Sequence, residues 1–195
     1  MRLVLASSSS ARAGMLRAAG VEFDTARPAI AEETLRRELG AAEPAAVAQA
    51  LADAKALAVA AAEPDALVIG ADQVLVLDRM IVTKPADEAA ARWQLMRLRG
   101  RRHTLISAAA CARGGAVVWR ASTSAELTMR DFSTDFLDGY LAATGKRVTS
   151  TVGGYEIEGL GIQLFSRVAG DLFTIQGLPL LELLECLRSE RLIGT

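Results

Sequence analysis

Between Ala45 and Ala62 the chain is an almost unbroken alanine-rich run, and at Glu63-Pro64-Asp65 that run stops. Alanine is the strongest helix former and proline ends a helix, so the run predicts a helix and the tripeptide its end. Leu67 to Gly70 then read as a short buried strand. The N-terminus shows the same alternation: an apolar strand over Arg2 to Ala6, four serines, and a helix over Ala11 to Ala19 closed by Gly20, a residue suited to the left-handed cap. Strands alternating with helices predict an α/β protein with a mixed, elongated and twisted sheet flanked by helices. A chain of 195 residues can bury a sizeable core in one domain, and residues 1–195 are read as one.

The remaining elements follow the same logic. Val74–Leu77 and Met80–Val82 flank Asp78-Arg79 as a hairpin, and Asp87 caps a helix running to Arg99. Thr104–Cys111 and Ala116–Met129 read as strands joined through Gly114-Gly115, and Ser133 caps a helix to about Ala143. From Gly145 to Gly161 the chain is rich in Gly, Ser and Thr, a loop in which Gly153-Gly154 and Gly159-x-Gly161 would let backbone approach a ligand closely. Ile162–Phe165 reads as a strand, and Leu180–Ser189 as a closing helix after Pro179.

Composition excludes several function classes. The net charge is −1, with 22 basic against 23 acidic residues and no basic block, so no nucleic-acid polymer is expected as a partner. No apolar run is long enough to span a membrane and no signal-peptide core follows Met1-Arg2, so a cytoplasmic location is expected. Cys111 and Cys186 lie 75 residues apart without a CxxC pattern and His103 is the only histidine, which leaves two reduced, buried thiols and no zinc site as the expectation. The GxxxxGK[ST], GxGxxG and GxSxG patterns are absent, which disfavours phosphate-loop NTPases, Rossmann dehydrogenases and serine hydrolases. His103 is expected to orient a loop rather than to move protons.

The candidate chemistry is acidic and cationic. Asp72 follows Leu67-Val68-Ile69-Gly70-Ala71 and precedes more apolar sequence, and a buried carboxylate needs a pairing partner, hydrogen bonds or a cation. Of the 22 basic residues 19 are Arg, so Lys55, Lys84 and Lys146 stand out; phosphate contact is one role for a compact ammonium. Lys84 precedes Pro85 after an apolar strand, and Lys55 lies within the alanine-rich helix. Ser7 to Ser10 with Arg12 place hydroxyls and a guanidinium at a helix N-terminus, where they serve either as caps or as a phosphate site. Glu32 and Glu33 are an acidic pair, either a solvated loop or a source of a Mg²⁺ ligand.

Taken together these segments resemble the Maf family of nucleoside triphosphate pyrophosphatases over nearly the whole chain. Leu5-Ala6-Ser7-Ser8-Ser9-Ser10-Ala11-Arg12 resembles the family's opening element, Ile69-Gly70-Ala71-Asp72-Gln73-Val74 its GAD element, Thr83-Lys84-Pro85 its KP element, and Leu98 to His103 its GR-x-H element. Glu32-Glu33-Thr34, Gly159-Leu160-Gly161 and Gly177-Leu178-Pro179-Leu180 match further parts. The chain departs from the pattern at Ser10, where relatives carry proline, and at Ser150-Thr151, where many carry Asp-Lys.

The resemblance implies hydrolysis between the α and β phosphates with Mg²⁺ or Mn²⁺, on a homodimer. Asp72 would be the general base or, with Glu33, a metal ligand; Ser7, Ser9, Arg12, Lys55 and Lys84 would bind the triphosphate. Ala11, Gln73 and Glu158 would set base preference, with Gln73 and Glu158 resembling the subgroup associated with 7-methyl-GTP and Ala11 standing where that subgroup has tryptophan. A carboxylate can meet guanine's adjacent N1–H and N2–H₂ donors, whereas uracil suits an amide. Alternatives carried beside this reading are a dTTP/UTP-type pyrophosphatase, an aspartyl-phosphate phosphatase and a nucleotide-binding regulator of cell division.

Overall fold

The computed structural model describes residues 1–194. In chain order its elements are β1 (Arg2–Ala6), α1 (Ser10–Ala18), β2 (Asp24–Ala26), α2 (Glu32–Leu39), α3 (Pro44–Ala60), β3 (Ala66–Leu77), β4 (Met80–Val82), α4 (Glu88–Leu98), β5 (Arg102–Arg113), β6 (Ala116–Met129), α5 (Thr134–Thr144), β7 (Phe165–Ala169), α6 (Leu172–Gln176) and α7 (Leu180–Ser189). The strands form one seven-stranded sheet in the order β2-β1-β3-β5-β6-β7, with β4 paired to β3. It is a mixed sheet: β1 runs parallel to β2 and β3, while β3–β4 and β6–β7 are antiparallel. The expected α/β class is therefore what the chain adopts.

Two compact units can be described separately. The first comprises Met1–Gln73, Ile106–Thr123 and Leu172–Thr195, and the second Val74–Leu105 and Ser124–Asp171. In the first unit, alternation along the strands sorts side chains to two faces. Leu3, Leu5, Leu67, Ile69, Ala71, Ala109 and Cys111 share a buried cluster with Leu16 of α1 and with Leu183 and Leu187 of α7. Gly70 points the other way, towards α3, and a Cβ there would lie 2.5 Å from the Ala56 nitrogen and closer still to the Ala52 carbonyl oxygen. The missing side chain lets α3 lie close against β3, a spacing that the alanines of the helix also require.

In the second unit, Leu95, Leu98, Leu105, Leu127, Phe132, Leu137 and Leu164 are buried. Ser133 and Asp87 cap α5 and α4 as expected, each side-chain oxygen accepting from the backbone N–H three residues on. Several features differ from the sequence expectation, and the first is that Glu32 and Glu33 open a helix, α2, rather than lying in a loop. The two strands expected on either side of Asp72 are one twelve-residue strand, β3. Residues 160–164 form a 3-10 turn and the strand starts only at Phe165. In the 145–161 loop two glycines make room for the chain itself: a Cβ on Gly161 would strike the Glu156 backbone, and one on Gly153 would strike the Tyr155 ring.

Candidate active site

Asp72 is carried on β3 and is almost wholly buried, 4% exposed. A carboxylate there needs compensating charge, and two cations provide it. Lys55 donates from Nζ to Oδ1 at 2.7 Å, and Arg36 donates from Nη2 to Oδ2 at 3.2 Å. Lys55 is itself buried, on the α3 face that Gly70 draws close to β3. A second carboxylate completes the group: Glu32 Oε1 lies 3.1 Å from Lys55 Nζ, and its Oε2 3.9 Å from Arg36.

The turn from β1 into α1 supplies hydroxyls and a further cation. Ser9 is the N-cap of α1 and accepts from the Arg12 N–H at 3.4 Å. Ser7 Oγ accepts from the Ser9 N–H at 3.1 Å, while Arg12 Nε donates to the Gly177 carbonyl at 2.8 Å. Packing around the Arg12 guanidinium lowers its pKa through desolvation, and the charges of Asp72 and Glu32 oppose that shift. Arg12 therefore sits within the field of the same two carboxylates. The cluster of Arg12, Lys55 and Arg36 with Asp72 and Glu32 carries one more positive than negative charge, which suits it to an anionic ligand.

The other residues singled out in the sequence lie as follows. Ala11 is half-buried in the first turn of α1. Glu33 is exposed on α2, and it is its neighbour Glu32 that reaches Lys55. Gln73 follows Asp72 on β3 and so faces the opposite side of the sheet. Its Nε2 lies within hydrogen-bond distance of Ser107 Oγ (3.1 Å) and of the Thr174 and Ile175 carbonyls (2.9 Å each), leaving Oε1 as its available acceptor. Lys84 and Glu158 belong to the second unit, Lys84 exposed in the loop after β4 and Glu158 exposed in a turn.

His103 is buried in the second unit, where its Nε2 pairs with the Tyr155 hydroxyl at 2.7 Å and its Nδ1 has no partner. Tyr155 and Phe165 pack edge to face beside it, with centroids 4.8 Å apart. Burial lowers the His103 pKa to about 4, so the ring is neutral at physiological pH. Cys111 and Cys186 are free, buried thiols with sulfurs 4.0 Å apart. Among the described residues no helix is long and apolar enough to cross a membrane.

Arg36 and Glu32 were not distinguishable as site residues among 19 arginines and an acidic pair. The available signal was their i,i+4 spacing, which on a helix points both side chains the same way.

Residues 2–190 match the family model described as Maf-like protein. The nucleoside triphosphate pyrophosphatase of Paramagnetospirillum magneticum (strain ATCC 700264 / AMB-1) is 50% identical over 187 residues, covering 95% of this chain and 96% of that protein. The 7-methyl-GTP pyrophosphatases of Brucella abortus biovar 1 (strain 9-941) and Rhizobium meliloti (strain 1021) are each 47% identical, over 195 and 188 residues, covering 99% and 95% of this chain and 98% and 94% of their own. The chain belongs to the Maf family.

Proposed function

We propose that this chain is a nucleoside triphosphate pyrophosphatase, hydrolysing the bond between the α and β phosphates to give a nucleoside monophosphate and pyrophosphate. The observation that carries the proposal is a buried carboxylate, Asp72, held by Lys55 and Arg36 beside a serine-rich helix N-terminus and Arg12. The names borne by relatives at 47–50% identity support the same reading.

In this mechanism the cations neutralise the polyphosphate and align it, and Ser7 and Ser9 add hydroxyl contacts. Asp72 accepts the proton of a water molecule as that water attacks the α phosphorus, and pyrophosphate departs with the bridging oxygen. A positioned base contributes ~10²–10⁴ in rate. The donor set fits a hard divalent cation, Mg²⁺ or Mn²⁺: the cluster offers carboxylate oxygens and no histidine or cysteine. Among the described residues no group of three or more His, Cys, Asp or Glu side chains is arranged to hold a metal, so Asp72 with Glu33 or its neighbour Glu32 would share it with substrate phosphates. When bound, such an ion stabilises charge on the phosphoryl oxygens.

For the base, the favoured substrate is 7-methyl-GTP or another modified guanine nucleotide. The family resemblance assigns base preference to Ala11, Gln73 and Glu158; a glutamate side chain offers acceptors, and guanine presents donors at N1 and N2. The small Ala11 leaves no aromatic platform on α1. Lys84 is assigned to the phosphates by the family resemblance, which also implies a homodimer; light scattering of the purified protein checks the latter. A cytoplasmic setting, where nucleoside triphosphates are abundant, belongs to the same reading.

The test is pyrophosphate release from a panel of 7-methyl-GTP, GTP, dTTP and UTP with Mg²⁺ or Mn²⁺. Turnover highest with 7-methyl-GTP is expected. Absence of pyrophosphate from every member would overturn the assignment.

A further inference from the structure

Each oxygen of Asp72 accepts from a cation in this structure. Lys55 donates to Oδ1 and Arg36 to Oδ2, so a water molecule or a cation approaching Oδ2 must share that oxygen with the Arg36 guanidinium. The two cations are anchored differently. Lys55 is fixed within the buried face of α3, with 8% of its side chain exposed. Arg36 stands on α2, an eight-residue helix with no buried residue and no side-chain N-cap, and its own side chain is 21% exposed. A helix this short has little stability of its own. Its tie to Lys55 and Asp72 runs through Glu32 and Arg36, one turn apart on a single face.

We propose that Arg36 is a further substrate-binding residue, one that occupies Asp72 while the site is empty and transfers to the β and γ phosphates when a polyphosphate enters. The inference rests on the pyrophosphatase reading and adds to it a residue and a reason for polyphosphate selectivity. A guanidinium presents a planar fork that matches phosphate oxygens bidentately, and it directs one N–H at Asp72 here. A triphosphate offers two distal phosphates to draw that fork away; a monophosphate offers none. Arrival of the correct substrate would thereby free Oδ2 of Asp72 while Lys55 keeps hold of Oδ1. Glu32, 3.9 Å from Arg36 and 3.1 Å from Lys55, would remain as the counter-charge that keeps both cations near the site.

The test compares Arg36→Met and Arg36→Lys with Arg37→Met, a change at the exposed neighbour on the same helix. Steady-state hydrolysis is measured with the triphosphate that wild type turns over best, together with inhibition by pyrophosphate and by the matching monophosphate. Loss of a charge-assisted contact predicts that Arg36→Met raises KM about ten-fold or more and weakens pyrophosphate inhibition by a similar factor. Monophosphate inhibition should move by less than about two-fold, Arg36→Lys should recover part of the loss, and Arg37→Met should match wild type.

Equal weakening of pyrophosphate and monophosphate inhibition would mean general disruption of the site, and would overturn the proposal. So would kinetics for Arg36→Met indistinguishable from those of Arg37→Met. Wild-type protein without turnover of any triphosphate would instead sink the pyrophosphatase reading, a separate outcome read in the same experiment.

Discussion

Two regions of this protein bury polar side chains next to sheet strands, and they solve the problem in opposite ways. Around Asp72 the charges are kept: a carboxylate 4% exposed is matched by Lys55 and Arg36, with Glu32 close by. Around His103 charge is removed: the ring is held neutral by burial, bonded to Tyr155 and wrapped by Phe165. Burying ions costs more than burying a neutral ring, and mutual attraction only roughly offsets that cost. On the function proposed above, these ions are retained for phosphate chemistry rather than for stability. The neutral cluster fastens a loop.

The contrast can be broken most forcefully at Lys55. Replacing it with methionine leaves Asp72 short of a partner, which predicts about 3 kcal/mol of lost stability, a fall in Tm of roughly 10 °C, and at least a ~100-fold loss of activity. Adding Asp72→Asn to Lys55→Met removes the uncompensated charge. Thermal denaturation should then show much of the stability returning, while assays show no return of activity. Recovery of activity in the double variant would contradict the role given to the pair.

The His103 cluster predicts a pH effect of similar size and different form. An unfolded chain takes up the imidazole proton near pH 6.5, but the folded protein does so only at about 4. Stability from this group is therefore complete above the unfolded pKa, declines as pH falls from about 6.5 towards 4, and levels off below; the total is about 3 kcal/mol. Urea unfolding across that window should show the slope in wild type and lose most of it in His103→Gln, where no titrating group remains.

Gly70→Ala sharpens the comparison by moving the charged region without changing a charge. Its methyl would press on the Ala52 and Ala56 backbone, so a loss of about 2 kcal/mol is expected, with a drop in kcat because Lys55 is shifted from Asp72. An unchanged Tm would contradict the close packing of α3 on β3. The smallest effect belongs to the exposed Arg92–Asp138 pair, 2.9 Å apart at the surface. Arg92→Ala should cost less than about 1 kcal/mol by chemical denaturation and leave activity alone.

Much of this was legible in the sequence, for reasons that can be named. Asp72 stood out because carboxylates are rare in apolar strand sequence, and Lys55 because lysine is scarce here. The alanine-rich helix and its proline stop were strong local signals, and α3 runs close to where they put it. The continuity of β3 through Ala71-Asp72-Gln73 was hidden because polar residues in mid-strand look like a break. Their partners, Lys55 and Arg36 for Asp72 and Ser107 and the α6 carbonyls for Gln73, come from distant segments. β2 and α6, of three and five residues, were too short to show a period. Residues 160–164 alternate apolar and polar like a strand, but Gly161 must pass the Glu156 backbone, and the chain coils there instead.

The central claim is that the paired ions do chemistry and the neutral cluster does not. Measuring kcat/KM for pyrophosphate release by Asp72→Asn and His103→Gln side by side, with circular dichroism confirming that both are folded, tests it most directly. The account predicts a loss of ~10²–10⁴ for Asp72→Asn and activity within a few-fold of wild type for His103→Gln. An Asp72→Asn enzyme that keeps wild-type turnover, or a His103→Gln enzyme that loses as much as Asp72→Asn, would contradict it.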